Sequence, residues 1–115
     1  MPEYEETLEY TRKVRLGVAA VDSGQLVVMD PSYAAGRSVQ RDPGGFYKEA
    51  GRVTSASREQ GGQLKFDHGG DGLAVAFRSG LGDGLYEVWA YYVDAGAWGE
   101  RIAKVEIIFL AEDDF

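Results

Sequence analysis

Cysteine is absent from this 115-residue chain. The chain therefore offers no disulfide framework, no thiolate zinc site and no cysteine nucleophile. Histidine occurs once, as His68, so one chain cannot build a multi-histidine metal site, and a Ser-His-Asp triad would have to use this residue. No run of about 18 apolar residues is present either, which argues against a membrane-spanning helix. The sequence thus predicts no metal, no cofactor and no membrane partner.

The net charge of −7 comes from the two ends of the chain. Residues 1–9 carry four acids and no base, and residues 112–115 carry three acids and no base, whereas residues 10–111 balance 12 acids against 12 bases. We interpret the ends as acidic tails flanking a single β domain over residues 10–111. The neutral body lacks the basic patch expected of a nucleic-acid binder. An acidic N-terminus is the opposite of a secretory signal, so we expect a cytoplasmic protein.

Apolar and polar residues alternate with a period of two along much of the chain, which is typical of half-buried strands. Seven strands are predicted: residues 12–20, 26–29, 46–57, 63–67, 73–78, 85–93 and 102–110. Glycine turns at Asp22–Gly24 and Gly80–Gly84 predict hairpins between neighbouring strands. The pattern favours an all-β fold, an antiparallel β-sandwich or small barrel. At most one short helix is expected, near residues 31–35, where Asp30 can cap and Pro31 can begin it.

The segment Val21-Asp22-Ser23-Gly24 matches the way aspartic proteases present a catalytic carboxylate. In those enzymes two such loops meet, and the two aspartates share one proton. One copy in a chain of this length would require a homodimer. The plainer interpretation is a tight turn in which the Asp22 carboxylate accepts local backbone N–H groups.

Two strand ends combine a carboxylate, a glycine and a neighbouring hydrogen-bonding side chain. Asp22 precedes Gln25 at the first, and Asp83 precedes Tyr86 at the second. Because loops at strand ends commonly carry binding residues on a rigid sheet, these segments predict a binding site. The second segment must also turn the chain within few residues, so we expect Gly84 to adopt a conformation closed to β-branched residues.

Four motifs between residues 17 and 110 carry a resemblance to a known family. They are V-D-S-G-Q-L at Val21–Leu26, D-P-x-Y at Asp30–Tyr33, S-G-x-G-D-G-x-Y-x-V-x-A at Ser79–Ala90, and W-G-x-R-I at Trp98–Ile102. With them the chain resembles a family of small bacterial and phage proteins that form a domain of unknown function. The resemblance implies an intracellular, β-rich protein of bacterial or phage origin. It also marks seven positions as candidate site residues: Asp22, Gln25, Asp30, Tyr33, Asp83, Gly84 and Tyr86.

The function favoured by these observations is that of a non-catalytic binding or interaction domain. Its partner would be a protein or a small ligand rather than a nucleic acid, and homo-oligomerisation stays open. The alternatives are an aspartate-dependent hydrolase, homodimeric and similar to aspartic proteases, that uses Asp22, and a purely structural or virion-associated part.

Overall fold

The strands form two three-stranded antiparallel sheets in the computed structural model, which describes residues 8–34, 45–66 and 70–114. One sheet has the order β1-β5-β6 and the other the order β2-β4-β3. The strands are β1 (Arg12–Val21), β2 (Gln25–Met29), β3 (Gly61–Phe66), β4 (Gly70–Arg78), β5 (Gly84–Asp94) and β6 (Glu100–Ile107). The α-helices are α1 (Pro31–Ala34) and α2 (Gly45–Ala56), and 3-10 turns occupy Gly96–Trp98 and Glu112–Asp114.

Six of the seven predicted strands are confirmed, and the strand predicted over residues 46–57 is wrong. Residues 46–57 were expected to be a strand because Val53 and Thr54 are β-branched, but they belong almost entirely to α2. The residues of α2 that face the sheet recur at helical spacing: Ala50, Val53 and Thr54 are all buried. Burial of this face outweighs the weak β propensity of two residues. Among the described residues the protein is therefore mostly β. The expectation of at most one short helix, near residues 31–35, is wrong, because α2 adds a helix of 12 residues to the short α1.

The predicted hairpins on either side of the Asp22–Gly24 and Gly80–Gly84 turns are also wrong. Strands β1 and β2 lie in different sheets, and so do β4 and β5. Both turns therefore carry the chain from one sheet to the other, and the small-barrel alternative fails because the strands do not close into one sheet. Gly84 begins β5 as an ordinary strand residue, whereas Gly80 and Gly82 have positive φ values, 65° and 124°.

Contacts divide the chain into two compact units. Unit 1 consists of Met1–Ala20 and Leu85–Phe115, and unit 2 consists of Val21–Gly84. The β domain predicted over residues 10–111 stays a prediction. His68 lies outside the described residues, as do residues 1–7 and 115 of the acidic ends.

The core of unit 2 lies between α2 and one face of the β2-β4-β3 sheet. Leu64 of β3 is fully buried, and it packs with Ala74 and Ala76 of β4 and with Ala50 and Val53 of α2. The antiparallel register continues this face onto β2, where Val27 pairs with Ala76 and Met29 pairs with Ala74. Small side chains at the interface let the helix lie close to the sheet, so residues of α2 and of the strand ends reach the same surface.

Unit 1 carries cations and aromatic rings on one face of its sheet. Lys104 lies 4.5 Å from the centroid of the Tyr91 ring, and Lys13 lies 4.7 Å from that of Trp89. The Tyr91 hydroxyl donates to Glu106, and the Trp89 indole N–H donates to Glu87. The Trp89 and Tyr91 rings are therefore already contacted by cations, and their polar groups by acids, within the unit.

The helices in the described ranges are all too short to cross a membrane. Across residues 8–34, 45–66 and 70–114, histidine, aspartate and glutamate side chains nowhere gather in a group of three that could hold a metal ion.

Candidate functional site

A cleft of about 680 Å³ opens at one end of the unit 2 sheet. Its volume lies within the range of roughly 300–1,000 Å³ that is common for small-ligand sites. The two chain crossings and the ends of β2 and β4 supply seven of its lining residues: Ser23, Gly24, Gln25, Arg78, Gly80, Leu81 and Gly82. Helix α2 supplies the others: Tyr47, Lys48, Gly51 and Thr54. The cleft thus combines one helix face with the ends of two paired strands.

Hydrogen bonds fix the two crossings against each other along the rim. The Ser79 N–H donates to the carbonyl oxygen of Gly24 over 3.1 Å. The Ser79 side chain is fully buried, and its hydroxyl donates to the Gly82 carbonyl over 2.7 Å, while the Gly82 N–H donates back to the Ser79 carbonyl. Ser79 therefore holds the Gly80–Gly82 loop in place beside the turn that contains Gly24.

Helix α2 contributes its residues at intervals that place them on one face. Tyr47, Gly51 and Thr54 are spaced i, i+4 and i+7, and Lys48 follows Tyr47 in the first turn. The Thr54 hydroxyl donates to Gln25 Oε1 over 2.8 Å, which connects the helix to the start of β2. The positive end of the helix dipole lies at this first turn, and it favours negative charge nearby.

Arg78, Lys48 and Gln25 each bring to the cleft at least one hydrogen-bond donor that has no partner among the described residues. Arg78 uses its Nε to donate to the Thr54 carbonyl oxygen over 3.1 Å, which orients the guanidinium group. Within the part of the chain that the structure describes, its two terminal nitrogens, the Lys48 ammonium group and the Gln25 amide nitrogen form no hydrogen bond or ion pair. The cleft is therefore rich in donors that no protein acceptor occupies.

The charged side chains that line the cleft are both cationic. Lys48 and Arg78 are both exposed, and among the described residues that line the cleft none is acidic. Asp83 lies at the rim, where its Oδ1 is 3.9 Å from the position that a Cβ on Gly24 would occupy. Asp83 has interactions of its own in the protein. A cationic cleft in a chain of net charge −7 attracts anions locally against the overall charge.

The structure brings together some of the residues predicted as a site and separates others. Gln25 lines the cleft, Asp83 lies beside Gly24 at its rim, and Asp22 is exposed on the same turn without lining the cleft. Gly84 follows Asp83 as the first residue of β5.

Asp30 and Tyr33 follow β2, whose last residue, Met29, lies about 13 Å from Gln25 at the usual rise per strand residue. There the Asp30 carboxylate accepts the Ser32 N–H over 2.9 Å, and this hydrogen bond lowers the pKa of Asp30. Asp30 therefore caps α1, as its position before Pro31 predicted. Tyr86 belongs to unit 1, where its ring packs edge-on against Phe109 with 5.2 Å between centroids.

Sequence reasoning missed the residues that give the cleft its charge, Lys48 and Arg78, and its exposed apolar rim, Tyr47 and Leu81. Recognising the helix would have helped, because Ala50, Val53, Thr54 and Ser57 follow the i, i+3, i+4, i+7 spacing of a buried helix face. The helical spacing would then have placed Tyr47 and Lys48 at one edge of this helix face, on the same side as Thr54. No local signal pairs these residues with Arg78, which the β2-β4 register brings opposite Gln25.

Comparisons with known proteins add no relative: no family model, no curated protein and no solved structure matches this chain. The resemblance based on the four motifs therefore stays a prediction, and the cleft is the feature of the molecule that indicates a function.

Proposed function

We propose that the protein is a non-catalytic binding domain that holds a small anionic ligand in the unit 2 cleft. The observation that carries the proposal is the set of unpartnered donors on Lys48, Arg78 and Gln25 in a cleft whose described lining has no acid. Charge-assisted hydrogen bonds from arginine and lysine to an oxyanion are among the strongest polar contacts that proteins make. An anion is the ligand that would satisfy all three donors together.

The position of Arg78 supports this function because its guanidinium group is already oriented. Its Nε bond to the Thr54 carbonyl leaves the two terminal nitrogens as a fork, which suits two oxygens of one anion. Gln25 is held in a similar way by Thr54, so its amide nitrogen is also oriented before a ligand arrives. Donors fixed in advance lose less conformational entropy on binding than free side chains do.

Asp22 gains no support as a catalytic carboxylate. It is exposed, it does not line the cleft, and β1 and β2 on either side of it belong to different sheets. The hydrolase alternative therefore stays an untested prediction from the Val21–Gly24 motif.

The test is a titration of the protein with inorganic phosphate, followed by NMR chemical shifts of backbone amides. We expect shifts at cleft residues in the wild type and a loss of binding in Arg78→Gln and Lys48→Met. Arg58→Gln is the matched control, because Arg58 is an exposed cation of unit 2 outside the cleft lining and its loss changes the charge equally. Arg78→Lys keeps the charge without the fork and should bind more weakly than the wild type.

Two results would contradict the proposal. One is the absence of saturable binding by the folded wild-type protein, and the other is an equal loss of binding in Arg58→Gln and Arg78→Gln, which would indicate only general charge attraction.

Asp83→Asn tests the sign of the charge effect. Removal of the rim carboxylate should strengthen anion binding, whereas a ligand contact by Asp83 itself would make the same variant bind more weakly.

A further inference from the structure

Two apolar side chains are exposed at the mouth of the same cleft. Leu81 has 81% of its surface exposed and Tyr47 has 70%. Leu81 is the central residue of the Gly80–Gly82 loop, and Tyr47 lies in the first turn of α2, so the two residues reach the cleft from different elements. Single exposed apolar residues are common on protein surfaces, but two that line one polar cleft form a surface that an apolar group can cover.

The loop that carries Leu81 is held rather than slack. At the base of the loop the buried Ser79 hydroxyl donates to the Gly82 carbonyl oxygen, and the Gly82 N–H donates to the Ser79 carbonyl oxygen. The Ser79 N–H donates in turn to the carbonyl oxygen of Gly24. Leu81 is therefore presented at a fixed position although it makes little contact with the protein. Tyr47 has no ring partner among the described residues, so its face is open to stacking.

The two cations that line the cleft indicate which anionic group the ligand carries. Lys48 and Arg78 provide two positive charges, which balance the dianion of a phosphate monoester better than the single charge of a carboxylate. With Gln25, the cleft offers donors from three side chains, and a terminal phosphate presents three oxygens to accept them.

Building on the proposed function, we infer that the ligand is a small phosphate monoester of a flat ring. Its phosphate group binds Lys48, Arg78 and Gln25, and its ring lies between Tyr47 and Leu81 at the mouth. The class includes mononucleotides and simple aryl phosphates. The cleft, at about 680 Å³, is large enough for a ligand of this size.

The experiment compares phenyl phosphate, inorganic phosphate and benzoate by the same NMR titration. Phenyl phosphate should bind about tenfold more tightly than inorganic phosphate, because covering the ring removes roughly 50–60 Å² of apolar surface from water. Tyr47→Ala and Leu81→Ala should each remove much of this gain, so that the ratio of the affinities for phenyl phosphate and inorganic phosphate falls towards one. Tyr33→Ala is the matched control, since Tyr33 is 43% exposed and lies outside the cleft lining.

The three probes separate failure of this inference from failure of the proposed function. If phenyl phosphate binds no more tightly than inorganic phosphate, or if Tyr33→Ala has the same effect as Tyr47→Ala, the ring site is refuted and the anion site stands. If benzoate binds as tightly as phenyl phosphate, the phosphate assignment is refuted. If none of the three anions binds, the proposed function itself is refuted and this inference with it. Adenosine monophosphate should compete with phenyl phosphate, and a failure to compete would exclude mononucleotides from the class.

Discussion

The fold leaves no room for a side chain at Gly61. A Cβ at this position would lie 2.6 Å from the Ala76 carbonyl oxygen and 2.9 Å from the Phe77 Cβ. Both atoms belong to β4, the central strand of the unit 2 sheet, so neither can move without disturbing its pairing with β3. The sequence alone shows Gly61 only as half of a Gly-Gly pair, because the approach of β4 is a tertiary contact.

We expect Gly61→Ala to lower the free energy of unfolding by about 1–3 kcal/mol, since the added methyl group forces the paired strands apart. Gly51→Ala is the control with the opposite sign. A Cβ at Gly51 would meet nothing within 4 Å, and alanine is favoured over glycine inside a helix by about 0.5–1 kcal/mol. Urea denaturation followed by circular dichroism measures both, and equal stability of the two variants would show that the close approach does not constrain β3.

At the scale of elements, Glu49 connects α2 to β3. Its carboxylate accepts two hydrogen bonds from Arg52 on the same helix, over 2.9 and 2.7 Å, and one from the backbone N–H of Lys65, over 2.8 Å. The hydrogen bond from Arg52 lowers the pKa of Glu49, and the bond from Lys65 adds to this effect while partial burial opposes it. The carboxylate therefore stabilises the packing of the helix on the sheet only while it is ionised.

This arrangement predicts a specific dependence on pH. Because the folded state lowers the pKa of Glu49, the stabilisation is fully present above the ordinary value of 4.5 and is lost as the pH falls through the lower folded value. Glu49→Gln should lower the free energy of unfolding at pH 7 by about 1–3 kcal/mol. The curves of stability against pH for wild type and variant should converge below pH 4.5. Glu59→Gln removes an exposed acid of the same unit, and it should leave the free energy of unfolding at pH 7 within about 0.5 kcal/mol of the wild type. A difference between wild type and Glu49→Gln that persists unchanged in acid would contradict the ionic role.

At the scale of the whole molecule, the chain enters unit 2 and leaves it within strands rather than through linkers. Strand β1 continues to Val21, and β5 begins at Gly84, whereas the unit boundaries fall after Ala20 and before Leu85. Unit 1 is built from two segments of chain that unit 2 separates in sequence. If unit 2 unfolded alone, residues 21–84 would become a long loop joining strands of the unit 1 sheet, which adds an entropic cost of closure.

We therefore expect the units to unfold together, as the prediction of a single domain over residues 10–111 requires. Leu64→Ala removes a fully buried side chain from the unit 2 core and should cost about 2–5 kcal/mol. Trp89 and Trp98, the two tryptophans of the chain, both lie in unit 1, and α2 lies in unit 2. Tryptophan fluorescence and the helical circular dichroism signal thus report the two units separately. Both transitions should shift equally in Leu64→Ala, and a fluorescence transition that stays in place would show that the units are independent.

Local sequence patterns were enough to locate the six strands of the described residues, because alternation of apolar and polar residues is a property of each strand alone. They also predicted the cap of α1 at Asp30, which depends only on the next two residues. The β assignment of residues 46–57 failed because Val53 and Thr54 favour strands intrinsically, while burial of one helix face against Leu64 and Ala76 decided the outcome.

The pairing of the strands and the lining of the cleft depend on tertiary packing. The turns at Asp22–Gly24 and Gly80–Gly84 have the composition of hairpin turns, yet each connects two sheets, since strand pairing is chosen by burial of whole faces rather than by the residues of a turn. The same packing brings Lys48 of α2, Gln25 of β2 and Arg78 of β4 to one cleft from positions far apart in sequence. These three side chains meet because β2 pairs with β4 in this register and α2 packs on the sheet in this position. No local sequence pattern encodes either arrangement.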